Sequence, residues 1–157
     1  MDESHLQHLR RAIEVARRSR EHGNHPFGAI LVDENNEVIL EAENTVNTEQ
    51  DCTGHAETNL IRLATHQFSP ETLRKCTLYT STEPCAMCSG AIHWGQVGRV
   101  VYGLSEEGLY ALTGSHHKNE TMLLPCREVF ARSGRPVEVI GPLLEDEARV
   151  VHEGFWT

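Results

Sequence analysis

No apolar run in this 157-residue chain approaches the ~18–20 residues that a membrane-crossing helix needs, which excludes a helical membrane protein. The opening residues, Met1-Asp2-Glu3-Ser4-His5, lack the charged-then-apolar pattern of a secretion signal, so a cytoplasmic location is expected. Basic residues are scarce. Lys and Arg total 14 against 23 Asp and Glu, for a net charge of −9 with His neutral. Binding to a long nucleic-acid backbone is driven largely by Lys and Arg releasing phosphate counterions, so this balance argues against a nucleic-acid partner. No internal repeat, low-complexity block or linker interrupts the sequence, and residues 1–157 read as a single domain. Intrinsic disorder is excluded because apolar residues, 39% of the total, recur along the whole length. The five cysteines, Cys52, Cys76, Cys85, Cys88 and Cys126, are odd in number. With no secretion signal they fit a reducing compartment, where thiols do chemistry, bind metal or sit inert in the core.

What is present is an alternation of strand and helix patterns. Leu6, Leu9, Ile13 and Ala16 recur at three- and four-residue steps and predict an amphipathic helix over Ser4–Glu21, capped by Ser4 and stopped at Gly23. Phe27–Val32 and Val38–Glu43 flank the turn residues Asp33-Glu34-Asn35-Asn36 and predict a hairpin. Asn44–Gly54 reads as a loop, His55–His66 as a helix, Cys76–Thr80 as a strand, Cys85–Gly95 as a helix and Arg99–Gly103 as a strand. Leu104–Thr121 shows little periodicity and reads as a loop with a short helix. Glu128–Arg132 is expected as a helix, Val137–Ile140 as a strand and Glu145–His152 as a last helix. Such alternation points to α/β architecture, a three-layer sandwich around one mixed sheet.

Two short motifs carry chemistry: His55-Ala56-Glu57 and Pro84-Cys85-Ala86-Met87-Cys88. A C-x-x-C spacing at a helix start puts two thiolates close enough for one metal ion. With one His they leave a tetrahedral Zn²⁺ a free fourth position, the mark of a catalytic rather than a structural site. Zinc lowers the pKa of water from 15.7 to about 7, and a nearby carboxylate such as Glu57 can move the proton. Both motifs fall at expected helix N-termini, whose positive dipole ends favour thiolate. Two other readings stay open. A structural zinc site needs four ligands, and no second C-x-x-C exists; a redox pair would give His55 and Glu57 no role. Glu57 alone could simply stabilise the helix dipole. Residues two apart on a regular helix point ~200° away from one another, so His55 and Glu57 share a crevice only if His55 is the entry residue.

His55-x-Glu57 followed by Pro84-Cys85-x-x-Cys88 resembles the signature of the zinc-dependent cytidine-deaminase superfamily. Pro26-Phe27-Gly28-Ala29 is similar to that family's first-strand motif. Asn44 stands where the family places a substrate-binding Asn. Thr53-Gly54-His55-Ala56-Glu57, Thr82-Glu83-Pro84-Cys85 and Met87-Cys88-Ser89-Gly90-Ala91 resemble the branch containing guanine, cytosine and tRNA-adenosine deaminases. The likeness runs from about Pro26 to Gly103, and Ala91-Ile92-His93-Trp94 looks closer to guanine deaminases than to the tRNA branch.

The resemblance implies a cytidine-deaminase-like α/β/α sandwich with five strands. It implies Zn²⁺ held by His55, Cys85 and Cys88, and hydrolytic deamination of an amino-substituted nucleobase or nucleoside with Glu57 as proton carrier. Guanine is the favoured ring, with cytosine or a related ring next. Substrate contacts are expected from Asn44, Phe27, Gly54 and Glu83, and from Trp156 if Phe155-Trp156 closes over the pocket rather than docking into the core. A homodimer is the family expectation. The alternatives are a tRNA wobble-adenosine deaminase and a non-catalytic, zinc-stabilised binding module. Cys52, near the ligand His, is expected as a pocket-wall or core thiol, and His116-His117 as part of a solvated loop.

Overall fold

In the computed structural model, which describes residues 3–113 and 121–156, the N-terminal apolar spacing forms one helix, α1 (Glu3–Glu21). Leu9, Ala12, Val15 and Ala16 are buried on one stripe, as a turn of 3.6 residues requires. The solvent side carries Arg17, paired with Glu14 and Glu21.

The chain then turns into β1 (Gly28–Val32) and β2 (Val38–Glu43), an antiparallel hairpin. In its turn the Asp33 Oδ1 accepts the N–H groups of Asn35 and Glu37, and Asn36 takes a left-handed φ of 65° that its short polar side chain tolerates. β3 (Thr77–Thr82) pairs antiparallel with β1, β4 (Arg99–Leu104) parallel with β3, and β5 (Glu138–Ile140) parallel with β4. The result is one mixed five-stranded sheet in the order β2-β1-β3-β4-β5.

Side chains alternate across the sheet with a period of two. Ile30, Val32, Tyr79 and Val101 pack against Leu9, Ala12 and Val15 of α1. Ala29, Leu31, Leu78, Val100 and Tyr102 point the other way, onto α3 (Ala56–Gln67) and α5 (Ala86–Gly95) through Leu60, Ile61, Ala64 and Ile92. Each fully buried Leu or Ile contributes roughly 1.5–3 kcal/mol. Covering on both faces explains why β1 reads as an unbroken apolar run rather than an alternating one. The approach of α1 to β1 is close at Gly28, where a Cβ would lie 2.4 Å from the Ala16 amide nitrogen.

The elements match the sequence expectation with local differences. β3 runs on to Thr82, because Thr82 pairs with Leu104 on β4. Two short helices lie in segments expected to lack them, α2 (Val46–Glu49) and α4 (Pro70–Leu73). The second has a legible signal: the Ser69 hydroxyl accepts the Thr72 N–H and Pro70 holds the first helical position. After β4 comes α6 (Glu106–Thr113), then α7 (Cys126–Phe130) and α8 (Glu145–Val150). α8 ends two residues before the expected His152. Arg135 closes the last turn of α5 by donating to the Ile92, His93 and Val97 carbonyls.

β3 and β4 are parallel neighbours, so their carboxyl ends, Thr82 and Leu104, lie side by side. The segments that follow them, and the N-termini of α3 and α5, converge outside this edge, the usual place for a ligand in α/β sheets.

Candidate active site

His55 and Cys85 are both N-cap residues. His55 precedes α3 with extended backbone (φ −73°, ψ 149°), and Cys85 precedes α5 in the same way (φ −69°, ψ 176°). His55 is therefore the entry residue, and Glu57, two positions on in the first turn, can face the same crevice. The His55 Nδ1 lies 3.4 Å from the Cys85 Sγ and 3.6 Å from the Cys88 Sγ, and the three donor atoms all fall within 4.8 Å of one another. Tetrahedral zinc with Zn–N near 2.0 Å and Zn–S near 2.3 Å sets an N···S edge of about 3.6 Å. The spacing and the donor chemistry both fit that ion. Among the described residues no fourth Cys, His, Asp or Glu joins the group, so the closed structural site with four protein ligands is not formed there.

The surroundings prepare these groups. Cys85 is pulled down to about 4 by its hydrogen bond with Cys88 and then by His55, a bias toward the thiolate a metal requires. The Thr58 hydroxyl sits 3.2 Å from the Cys88 Sγ. Glu57 is buried, and desolvation followed by the charge of Cys85 pushes it up to about 7, while the neighbouring His55 and Thr80 side chains work the other way.

His55, Glu57 and Cys85 open onto a cavity of about 110 Å³ walled by Phe27, Thr82, Glu83, Glu106, Leu109 and Tyr110. Glu83 spends both carboxylate oxygens on structure, accepting the Glu106 N–H at 2.9 Å and the Cys126 N–H at 2.8 Å. Glu106 accepts the Tyr110 hydroxyl at 3.3 Å and the Leu124 N–H at 3.2 Å; burial and then the charge of Glu83 raise it to about 7.

Of the expected substrate contacts, Phe27 and Glu83 reach this cavity. Asn44 is buried, with its Oδ1 accepting the Val46 N–H at 3.0 Å, and Gly54 is buried with its carbonyl accepting the Thr45 N–H at 2.8 Å; neither is part of the cavity wall. Trp156 stacks on His152, donating its Nε1–H to the His152 Nδ1 at 2.9 Å. It neighbours Phe27, whose ring centre is 6.2 Å away, and packs on the cluster of Leu104, Leu109 and Ala148. Cys52 is exposed, which corrects its expected place in a pocket wall or core. It occupies a surface turn in which Asp51 accepts the amide and hydroxyl of Thr53. His116-His117 lies outside the described residues. Thr82, Glu106, Leu109 and Tyr110 were not anticipated. The last three share a helical face at three- and four-residue spacing directly after β4, a signal the sequence does contain.

Two thiols and an imidazole spaced for zinc, beside a buried carboxyl on a small cavity, define a zinc hydrolase. The chain belongs to the cytidine and deoxycytidylate deaminase zinc-binding family, whose model matches residues 2–104. It is 47% identical over 156 residues to a protein of Schizosaccharomyces pombe named "Probable cytosine deaminase", covering 99% of this chain and 94% of that one. It is 41% identical over 100 residues to the guanine deaminase of Bacillus subtilis, covering 63% of this chain and 64% of that one. A solved structure from work on A-to-I editing by tRNA:A34 deaminases superposes with a TM-score of 0.69 at 26% identity, over 93% of this chain and 99% of that one. The chain is a nucleobase-type deaminase, a zinc-dependent hydrolase acting on C–N bonds. No helix among the described residues is long and apolar enough to cross a membrane.

Proposed function

We propose that this chain hydrolytically deaminates a small amino-substituted ring, with a single aminopyrimidine ring of the cytosine type preferred. The observation that carries this reading is the cavity. At about 110 Å³ it is well below the ~300–1,000 Å³ of pockets for drug-sized ligands, and it suits one six-membered ring better than a fused purine. The likeness to the S. pombe protein extends over nearly the whole of both chains, whereas that to guanine deaminase covers about two thirds of each, which supports the same preference. A net charge of −9 supports a small molecule over tRNA.

His55, Cys85 and Cys88 would hold Zn²⁺, and Phe27 would lie against the ring. The chemistry a bound zinc supplies is to lower the pKa of water to about 7. Glu57 takes one proton from the attacking water and delivers it to the ring nitrogen, then takes the second from the newly attached hydroxyl and passes it to the departing amine. The C–N bond breaks, a ring carbonyl forms and ammonia leaves, so water and the aminated ring are fully accounted for. Burial keeps Glu57 close to the pKa at which a group both accepts and returns a proton near neutral pH. Thr80 positions it. A cytoplasmic, single-domain enzyme is the setting this reading assumes. Exposed Leu63, Met87 and Trp94 on α3 and α5, the helices that follow the ligands, support pairing of two copies; sedimentation equilibrium tests that pairing.

The functional test is ammonia release from cytosine, guanine, their nucleosides and an anticodon stem-loop. Turnover of cytosine ahead of the rest is expected. Guanine ahead of cytosine would restore the ring favoured on sequence, and turnover of the stem-loop alone would establish the tRNA reading instead.

A further inference from the structure

The segment 44–54 leaves β2 and ends on His55, and its two ends are tied together. The Thr45 N–H donates to the Gly54 carbonyl at 2.8 Å. The approach is close enough that a Cβ on Gly54 would lie 2.7 Å from the Thr45 hydroxyl oxygen. One side chain reaches across this closure from α3. The Asn59 Nδ2 lies 3.0 Å from the Glu43 carbonyl oxygen, 2.9 Å from the Thr45 hydroxyl oxygen and 3.3 Å from the Gly54 carbonyl oxygen. Its Oδ1 accepts the Arg62 guanidinium at 2.9 Å, which sets the end of the amide that faces the loop. Its backbone N–H donates to the His55 carbonyl at 2.9 Å. Asn59 thus grips the end of β2, the entrance of the loop and both residues at its exit. It does not belong to the wall of the cavity that holds Phe27 and Glu57.

We propose that Asn59 is a positioning residue for the metal site: its amide locks the loop before His55 and so holds the imidazole where the two thiols meet it. The ring nitrogen beside the thiols is Nδ1, and only two side-chain torsions separate it from the main chain. The donor therefore follows the backbone at the loop exit, and a productive donor set tolerates displacements of only ~0.5 Å. A loop with free ends must give up that freedom when a metal draws His55 onto the thiols. Bonds that close it beforehand remove the cost. By linkage, closure and zinc favour each other by the same factor. This inference rests on the reading of His55 as a zinc donor.

The experiment measures zinc affinity by chelator competition, and the absorption spectrum of the Co²⁺-loaded protein, on the wild type, Asn59→Leu, Asn59→Asp and Ala64→Gly. The two Asn59 variants keep the size of the side chain and remove its donor. Ala64→Gly weakens α3 from within the core and leaves the loop alone. Both Asn59 variants should bind zinc roughly ten-fold more weakly and shift the Co²⁺ bands, which report donor geometry. Ala64→Gly should match the wild type in both. In the wild type, a comparison that needs no variant to fold, zinc should slow hydrogen exchange at the Thr45 amide by the same factor, roughly ten-fold. Unchanged zinc affinity and Co²⁺ spectrum in the Asn59 variants, an equal loss in Ala64→Gly, or exchange at Thr45 indifferent to zinc would overturn the inference and leave His55 standing as a donor. A wild type that binds no zinc would overturn both.

Discussion

The His55 Nδ1 lies 3.4 Å from the Cys85 Sγ although thirty positions separate the two residues in sequence. Each is the cap of a helix on the same side of the sheet, and the β3 strand between them delivers Cys85 to the edge where α3 begins. The site is thus a product of topology. Two helix N-termini and two parallel strand ends meet at one point, and the three donors and Glu57 are placed there.

The support behind the donors is open to test at Thr58. Its hydroxyl is 3.2 Å from the Cys88 Sγ, and hydrogen bonds to metal ligands commonly carry 10- to 100-fold in affinity. Thr58→Val should weaken zinc binding by about that factor in a chelator competition, with the fold intact by circular dichroism. Unchanged affinity would show that this contact does nothing for the donor set.

Thr80 should act on rate rather than on binding. Its side chain, on β3, lies beside Glu57, and it does not belong to the cavity wall. Thr80→Val is expected to lower kcat roughly ten-fold while KM stays within about two-fold, because only the placing of the proton carrier is disturbed. A rise in KM with kcat preserved would reassign Thr80 to substrate binding.

Gly28 tests the packing of α1 on the sheet. A methyl group there would come within 2.4 Å of the Ala16 nitrogen and 2.6 Å of the Ala12 carbonyl, both backbone atoms that cannot swing aside. Gly28→Ala should cost about 1–3 kcal/mol through overpacking, seen as a lower midpoint in urea. A variant as stable as the wild type would mean that α1 shifts freely on β1.

His152 makes stability depend on pH. Burial, and then the charge of Arg20, lowers it from 6.5 to about 4, and its Nε2 is buried without a partner. The folded state therefore binds the proton less readily than the unfolded chain. The contribution is present in full above pH 6.5 and is lost as pH falls through 4, amounting to about 3 kcal/mol over that span. Urea titrations of wild type and His152→Gln between pH 7 and 4 should show a shallower fall for the variant. Parallel curves would place His152 in contact with solvent.

Much of this was legible in the residues, and the reasons differ from element to element. α1 and the hairpin follow from periodicity and turn chemistry, which are local. The metal donors were legible because C-x-x-C spacing is short-range and strict, and because His55 falls just before an apolar helical pattern. Thr82 was hidden by its polarity. A Ser81-Thr82 pair ends a strand on paper, yet pairing with Leu104 and cover on both sides carry β3 through it. Glu106 and Tyr110 were obscured because α6 is short and acidic in its first turn, so it reads as solvent-facing until β4 is known to deliver it to the site. The surroundings of Trp156 are set by contacts far apart in sequence: a hydrogen bond to His152, the anchoring of the Val151 and Glu153 carbonyls by Arg20, and an aromatic cluster that includes Phe27.

The most direct test is a single variant assayed two ways. Glu57→Gln keeps the shape of the buried side chain and removes its ability to carry a proton. Zinc content by atomic absorption should stay at one ion per chain, while ammonia release from cytosine falls roughly 100- to 10,000-fold below the wild type. A variant that keeps wild-type turnover, or a wild-type protein that deaminates without any zinc, would contradict the account at its centre.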